Sequence, residues 1–258
     1  MDIVNLLEQI KDIVRKAGEI ILQAQNLRLT QKAGNQNFVT QYDTQVEDFL
    51  ISNLQTLLPQ SAVLAEESNP QLVTDKDWVF IVDPIDGTAN FINHINHSAI
   101  SIALAFRKKL VLAVIYNPYN NELFSAIADG GAFLNGQAIK VSKRLFTEAI
   151  IGFGTTPYNT FFHPNTLSML GKCLGTVREI RRMGSAALDL AYLACGRFDG
   201  FFEFQLQAWD FAAGALIIKE AKGLITTMAG AEIDPFQASS IVAGNKIVYF
   251  NLVNLLDD

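Results

Sequence analysis

One short run of the sequence constrains this chain more than any other, because it reads as a buried strand that ends in two carboxylates. Residues 78–91 are WVFIVDPIDGTANF. The β-branched and aromatic residues 79–82 are typical of a buried strand, and Pro84 is expected to end its ladder because proline has no N–H to donate. Asp83 and Asp86 then follow, three residues apart across a turn that the proline stiffens. Such a pair can offer oxygen ligands to a hard cation such as Mg²⁺.

Residues next to this pair, and two distant acidic segments, extend the metal hypothesis. Gly87 allows close approach of the backbone to a ligand, and Thr88 adds a hydroxyl and an amide N–H that can face an anion. Glu66 and Glu67 follow an apolar segment, and Asp210 stands at the start of a strongly apolar helix. Each feature also has a structural alternative: ordinary turn chemistry, a solvated loop pair, or an acid that caps a helix. The pattern of all three segments together favours the metal site.

The order and separation of these segments resemble a known family. The segments AEES at 65–68, DPIDGTANF at 83–91 and WDFAAG at 209–214 resemble the inositol monophosphatase family of Mg²⁺-dependent phosphatases. VTQYDTQVE at 39–47 and GSAALDLAYLACGRFDGFFE at 184–203 also look like family blocks, so the resemblance covers nearly the whole chain and is nearest to the bacterial inositol-1-monophosphatase branch. It implies a mixed α+β or α/β fold, a layered αβαβα sandwich of the inositol monophosphatase and fructose-1,6-bisphosphatase type, with the site between two halves.

The resemblance also implies roles for individual residues. The metal ligands that it implies are Glu66, Asp83 and the backbone carbonyl of Ile85 for a first Mg²⁺, and Asp83, Asp86 and Asp210 for a second. The catalytic residues would be Glu66 and Thr88, which orient the attacking water, and Asp43, which polarises Thr88 from behind. The substrate would contact Gly87, Thr88, Gly184, Ala186 and Glu203. It also implies inhibition by lithium at the second metal site.

Several assignments keep an open alternative at this point. Asp43 also fits a residue that enters a helix, and Glu67 fits loop support or a weaker third ion. Lys32 resembles a position near the phosphate, but a solvated lysine explains it almost as well. The basic cluster that includes Arg182 is most often a solvated face, although it can contact a substrate phosphate or a partner.

Bulk properties narrow the classes of partner. The 258 residues carry a formal charge of −6 and are half apolar, which favours a compact protein and argues against a nucleic-acid or anionic-membrane surface. The N-terminus lacks an apolar signal-peptide core, and no run reaches the roughly 18 apolar residues of a membrane span. Cys173 and Cys195 are expected to be buried free thiols. We therefore expect a soluble cytoplasmic protein with small partners. The resemblance implies that the partner is a small-molecule phosphate monoester and that the protein is a homodimer.

Periodicity predicts the order of elements. An amphipathic helix is expected over about the first 25 residues, and Thr44-x-x-Glu47 reads as a capping box that opens a second helix. Alternation on both sides of residues 107–109 predicts an antiparallel hairpin. The polar segment 142–149 is a candidate junction between an N-terminal α+β domain that carries the metal-binding loop, residues 1–143, and a C-terminal α/β domain that completes the site, residues 144–258.

The function expected from the resemblance is Mg²⁺-dependent hydrolysis of inositol-1-phosphate to inositol and phosphate by a metal-activated water. Related activities on similar folds stay open as alternatives: fructose-1,6-bisphosphatase, histidinol phosphatase and bisphosphate nucleotidase. A further alternative from another class is a regulatory binding protein with residual phosphatase activity.

Overall fold

The protein folds as five layers in which helices and sheets alternate. This computed structural model describes residues 2–31, 38–71, 75–157 and 159–257. Helices cover the outer face of a seven-stranded sheet, two helices fill the space between that sheet and a five-stranded one, and further helices cover the far face. The layered αβαβα sandwich implied by the resemblance is confirmed.

The first outer layer and the larger sheet come from the N-terminal half. The outer layer contains α1 (Ile3–Leu22) and α2 (Gln41–Leu57). The sheet contains β3 (Ala62–Ala65), β4 (Trp78–Asp86), β5 (Ala99–Phe106), β6 (Lys109–Asn117), β7 (Glu122–Ile127), β8 (Gly131–Leu134) and β9 (Gln137–Ile139), in that spatial order. β3 is parallel to β4, and the other neighbours are antiparallel. A small ribbon of β1 (Leu29–Gln31) and β2 (Phe38–Thr40) precedes α2.

The second half supplies the smaller sheet and the remaining helices. Its strands are β10 (Ile150–Phe153), β11 (Glu179–Arg181), β12 (Gly200–Leu206), β13 (Leu224–Thr226) and β14 (Ser239–Gly244), ordered β11-β10-β12-β14-β13. The central helices are α5 (Ala186–Ala194) and α6 (Ala208–Glu220), and the far outer helices are α4 (His163–Cys173) and α7 (Lys246–Asp257). A short helix, α3 (Thr88–Ile92), follows the Asp-Pro-Ile-Asp-Gly run.

Burial on both faces explains why β4 is almost continuously apolar. Phe80 and Val82 point into the core beneath α1 and α2, whereas Val79 and Ile81 point into the core around α5 and α6. Because side chains alternate along a strand, one strand serves two cores. The carboxyl end of β4 lies close to the start of α6.

Pro84 does not end the ladder of β4, contrary to expectation. β4 continues to Asp86, with Asp83 opposite Ser101 and Asp86 opposite Ala99, so one extra residue bulges out between these pairs. A bulge leaves a backbone position unpaired, and proline is tolerated there because no N–H is needed.

The start of α2 was also predicted wrongly. Thr40, not Thr44, caps the helix: its hydroxyl accepts the N–H of Tyr42 and Asp43, and the Asp43 carboxylate accepts the Thr40 N–H at 2.7 Å. Asp43 is thus the third residue of the helix and closes the capping box. Glu47, which the sequence analysis assigned to that capping box, instead accepts hydrogen bonds from the backbone of Glu67 and Ser68.

The predicted hairpin is present: β5 and β6 are antiparallel, and the chain turns between them at Arg107 and Lys108, both with positive φ. Helices α3 and α7 were not predicted. Cys173 is a buried free thiol and Cys195 a half-buried one. Among the described residues, no helix is both long and apolar enough to cross a membrane.

Candidate active site

Three carboxylates from two elements meet at the seam between the halves. Asp83 and Asp86 come from the bulged end of β4, and Asp210 is the third residue of α6. One oxygen from each can be chosen so that all three lie within 4.8 Å of one another. Part of this arrangement is local, since the Asp210 carboxylate accepts the N–H of Gln207 at 2.7 Å in the first turn of α6. The group is arranged so that it can hold a metal ion.

Electrostatics supports a cation at this group. Burial, followed by repulsion from the Glu66, Asp86 and Asp210 carboxylates, raises the pKa of Asp83 well above its usual range. Burial and then the carboxylates of Asp86 and Glu66 do the same to the pKa of Asp210. Burial also raises the pKa of Asp86 to about 6, against the opposing effect of its hydrogen bonds. Buried like charges are costly without a counter-charge, and a divalent cation supplies one.

The Asp86 carboxylate joins the two halves of the molecule. Its Oδ2 accepts a short hydrogen bond from the Ser185 hydroxyl and a 2.8 Å hydrogen bond from the Ala187 N–H. Ser185 is the N-cap of α5 and is almost fully buried. Gly87 lies beside it with φ of 89°, and a Cβ there would stand 3.1 Å from the Gly184 carbonyl oxygen and 3.3 Å from the Ser185 Cβ. Close backbone approach therefore requires glycine at position 87.

Thr88 lies between the carbonyl of Ile85 and the carboxylate of Asp43. Its Oγ1 is 3.2 Å from the Ile85 oxygen and 3.3 Å from Asp43 Oδ1. The other oxygen of Asp43 accepts the N–H and the hydroxyl of Thr40, at 2.7 and 2.6 Å. Asp43 is 1% exposed and stands behind Thr88. The start of α2 thus positions the threonine hydroxyl.

Glu47 positions the acidic loop, a function that the sequence pattern did not reveal. Its buried carboxylate accepts the backbone N–H of Glu67 and of Ser68, each at 2.8 Å. Glu47 lies one turn after Asp43, so both carboxylates emerge from the same face of α2. The i, i+4 spacing of Asp43 and Glu47 is the sequence signal that could have placed Glu47 near the site. The loop that carries Glu66 is therefore fixed by the same helix as Thr88.

A cavity of about 280 Å³ collects most of the residues that the sequence singled out. Those that line it are Glu66, Asp83, Ile85, Asp86, Gly87, Thr88, Gly184, Ala186, Glu203 and Asp210. Asp43 stands behind this set, and Glu67 is not among the lining residues. Lys32 lies outside the described residues. Asp189, Arg182 and Ser185 also line the cavity, and the sequence analysis assigned none of them to the substrate-binding set.

Glu203 is a buried residue of the cavity lining. Its Oε1 accepts the N–H of Thr156 at 2.8 Å, and burial raises its pKa to about 7. Gly154 makes room for it, because a Cβ at that position would lie 1.8 Å from Glu203 Oε2. Gly154 directly follows β10, so the end of this strand passes close to the glutamate.

Comparison with known proteins agrees with this geometry. The model of the inositol monophosphatase family matches residues 2–257. The chain belongs to the inositol monophosphatase family. An inositol-1-monophosphatase of Rhizobium meliloti (strain 1021) is 43% identical over 237 residues, covering 92% of this chain and 87% of the relative.

Other members of the family bear a different name. The Nus factor SuhB of Escherichia coli (strain K12) is 38% identical over 250 residues, covering 95% of this chain and 93% of the relative. The crystal structure of the extragenic suppressor protein suhB from Bartonella henselae has a TM-score of 0.92 at 38% identity, covering 98% of this chain and 99% of that one. The family resemblance stated from the sequence is confirmed, and its members include proteins named as phosphatases and as Nus factors.

Proposed function

We propose that the protein is a Mg²⁺-dependent phosphatase that hydrolyses inositol-1-phosphate to inositol and phosphate. The observation that carries the proposal is the group of Asp83, Asp86 and Asp210 in the lining of a cavity that Glu203 also lines. A volume of about 280 Å³ is at the small end of ligand pockets, which suits one sugar-sized ester.

The side chains present fit Mg²⁺, which prefers carboxylate, carbonyl and water oxygens. Glu66, Asp83 and the Ile85 carbonyl would hold one ion, and Asp83, Asp86 and Asp210 a second. When bound, Mg²⁺ supplies Lewis-acid activation of water and neutralises charge on the phosphoryl oxygens and the leaving oxygen.

Thr88 and Asp43 would act on the attacking water. The Thr88 hydroxyl has one proton and two acceptors within reach, Asp43 Oδ1 and the Ile85 carbonyl. If the Ile85 carbonyl is used as a ligand, the proton goes to Asp43, and the hydroxyl oxygen is then oriented to accept a hydrogen bond from the water. Glu66 would orient the same water from the opposite loop. The amide groups of Gly87 and Thr88 would bind phosphate oxygens.

The alcohol half of the ester would lie toward β12. Glu203 would accept hydrogen bonds from ring hydroxyls, with the backbone of Gly184 and Ala186 beside it. Burial of a carboxylate favours a partner that donates hydrogen bonds, and a polyol supplies several.

We further expect the protein to form a homodimer and to be located in the cytoplasm.

A phosphate-release panel tests the proposal. We would compare inositol-1-phosphate, fructose-1,6-bisphosphate, histidinol phosphate and adenosine 3′,5′-bisphosphate, each with Mg²⁺ and with a chelator. The expected result is Mg²⁺-dependent release, greatest from inositol-1-phosphate. Preference for another ester would select one of the related phosphatase activities.

The relative named a Nus factor favours a second candidate, a regulatory protein that acts through binding. The two candidates are separable because binding does not require turnover. An absence of phosphate release from every ester at saturating Mg²⁺ would overturn the enzyme proposal and leave the regulatory one.

A further inference from the structure

One face of α5 turns two polar side chains toward the active-site cavity. Ser185 and Asp189 are four residues apart and therefore lie one above the other on the helix. The Ser185 hydroxyl is already paired with Asp86. Asp189 is 2% exposed, lines the cavity, and its Oδ1 has no hydrogen-bond partner in the protein.

An unpaired carboxyl oxygen this deeply buried is exceptional, because buried polar groups are almost always hydrogen-bonded. Asp189 is not in the group of Asp83, Asp86 and Asp210 that can share one metal ion. A role in that metal group therefore does not explain it. Because the Asp189 side chain lines the cavity, a ligand there would bring hydrogen-bonding groups next to this carboxyl group.

The charges that face Asp189 narrow the chemistry of that ligand. Burial and the carboxylates of Asp86 and Glu203 raise the pKa of Asp189 well above its usual range, and Arg182 acts weakly in the opposite direction. Arg182 is the only basic side chain among the described residues that line the cavity. A hydroxyl suits this environment because it can donate to a carboxylate and accept from a carboxylic acid. A second phosphate would meet two acidic groups instead.

We propose that Asp189 is a specificity-determining residue, which exchanges a hydrogen bond with a hydroxyl of the alcohol half of the substrate and works together with Glu203. The assignment rests on the proposed polyol monophosphatase function. The substrate would then have two hydroxyl contacts: one from Asp189 on the central helix α5 and one from Glu203 on β12. This role also explains why α5 has a buried aspartate, Asp189, whose Oδ1 makes no hydrogen bond within the protein.

The test is a substrate ratio. We would measure kcat/KM for inositol-1-phosphate and for p-nitrophenyl phosphate, whose leaving group has no hydroxyl beyond the one released, at saturating Mg²⁺. Asp189→Leu replaces both carboxyl oxygens with methyl groups on a side chain branched at the same atom, and Asp189→Asn keeps hydrogen-bonding capacity. Asp48→Asn, on the exposed side of α2, is the matched control and should behave as wild type.

The ratio of kcat/KM for inositol-1-phosphate over that for p-nitrophenyl phosphate should fall at least about tenfold in Asp189→Leu, as expected for a lost substrate hydrogen bond in a buried site, and less in Asp189→Asn. A parallel fall for both esters, or no change in the ratio, would overturn the role of Asp189 and leave the proposed function standing. If the wild type hydrolyses the aryl ester but not inositol-1-phosphate, the proposed function fails, and this inference fails with it.

Discussion

At the scale of single residues, the acids of the candidate site are positioned by the protein's own amides. Asp83 accepts the N–H of Ile85 at 3.0 Å, Asp86 that of Ala187 at 2.8 Å and Asp210 that of Gln207 at 2.7 Å. Each contact fixes one carboxylate oxygen. Such fixed geometry lowers the entropic cost of assembling a metal site.

Loss of one charged ligand should abolish most turnover while leaving the fold intact. Asp86→Asn and Asp210→Asn change the volume little but remove a negative charge from the proposed second Mg²⁺ position. We expect kcat/KM to fall about 100-fold or more, since metal stabilisation of a transition state is worth several kcal/mol. Steady-state kinetics at several Mg²⁺ concentrations measures the loss, and the melting temperature checks the fold. Near-normal turnover at limiting Mg²⁺ in either variant would remove that residue from the ligand set.

Gly154→Ala should damage substrate binding by displacing Glu203. The added Cβ would stand 1.8 Å from Glu203 Oε2, so the glutamate must move. We expect KM for inositol-1-phosphate to rise more than kcat falls, because the glutamate is proposed to bind the alcohol and not the reacting atoms. Gly171→Ala in α4, where a Cβ meets nothing within 4 Å, is the control and should leave both constants unchanged. Unchanged KM in Gly154→Ala would separate Glu203 from substrate binding.

At the scale of elements, α2 organises two loops of the site at once. Asp43 holds Thr88, and Glu47 holds the backbone of Glu67 and Ser68 next to Glu66. Glu47→Gln replaces one acceptor oxygen with an amide that opposes a backbone N–H. We expect the Mg²⁺ concentration at half-maximal rate to rise by about tenfold, within the range for positioning residues of metal ligands, with kcat at saturating Mg²⁺ little changed.

Asp48→Asn, the next residue on the same helix and exposed, is the control for that experiment. A lower kcat at all Mg²⁺ concentrations, with unchanged Mg²⁺ dependence, would show that Glu47 acts on stability or chemistry and not on the metal.

The elements that the sequence predicted best are those whose signal is local. The alternation in β5 and β6 needs only neighbouring residues, whereas the bulge that continues β4 past Pro84 to Asp86 depends on pairing with β5. The start of α2 was missed because both Thr40 and Thr44 fit a capping pattern, and only packing selects one. Ser185 and Asp189 reach the cavity through the position of α5 between two sheets, which no local pattern encodes.

At the scale of the whole molecule, the candidate metal site joins the halves. Asp83 and Asp86 end a strand of the larger sheet, Asp210 begins a central helix, and Ser185 caps the other central helix. Two further contacts cross the same seam: the Ser101 hydroxyl donates to the Trp209 carbonyl, and the Asn90 amide donates to the Met183 carbonyl. Metal binding would therefore stabilise the assembly of both halves, not one loop.

The metal-free protein should consequently lose stability as pH rises, and Mg²⁺ should restore it. The pKa of Asp86 is raised to about 6 and that of Glu203 to about 7, whereas unfolded carboxyls titrate near pH 4. Between these values the folded state holds protons that the unfolded state has released, so the free energy of unfolding falls with rising pH. His97, whose pKa burial lowers, acts in the opposite sense but is a single group against several carboxyls.

The loss of stability with pH is measured by thermal denaturation with a chelator at about pH 5 and about pH 8. The same scans with saturating Mg²⁺ measure how much stability the cation restores. We expect a lower melting temperature at the higher pH in chelator, and a Mg²⁺-induced rise that is larger there, because the cation binds ionised carboxylates of the folded state only. Asp210→Asn should reduce that rise. A melting temperature in chelator that is constant or higher at about pH 8, or a rise with Mg²⁺ that is equal at both pH values, would contradict the proposal that these carboxylates form one cation site across the seam.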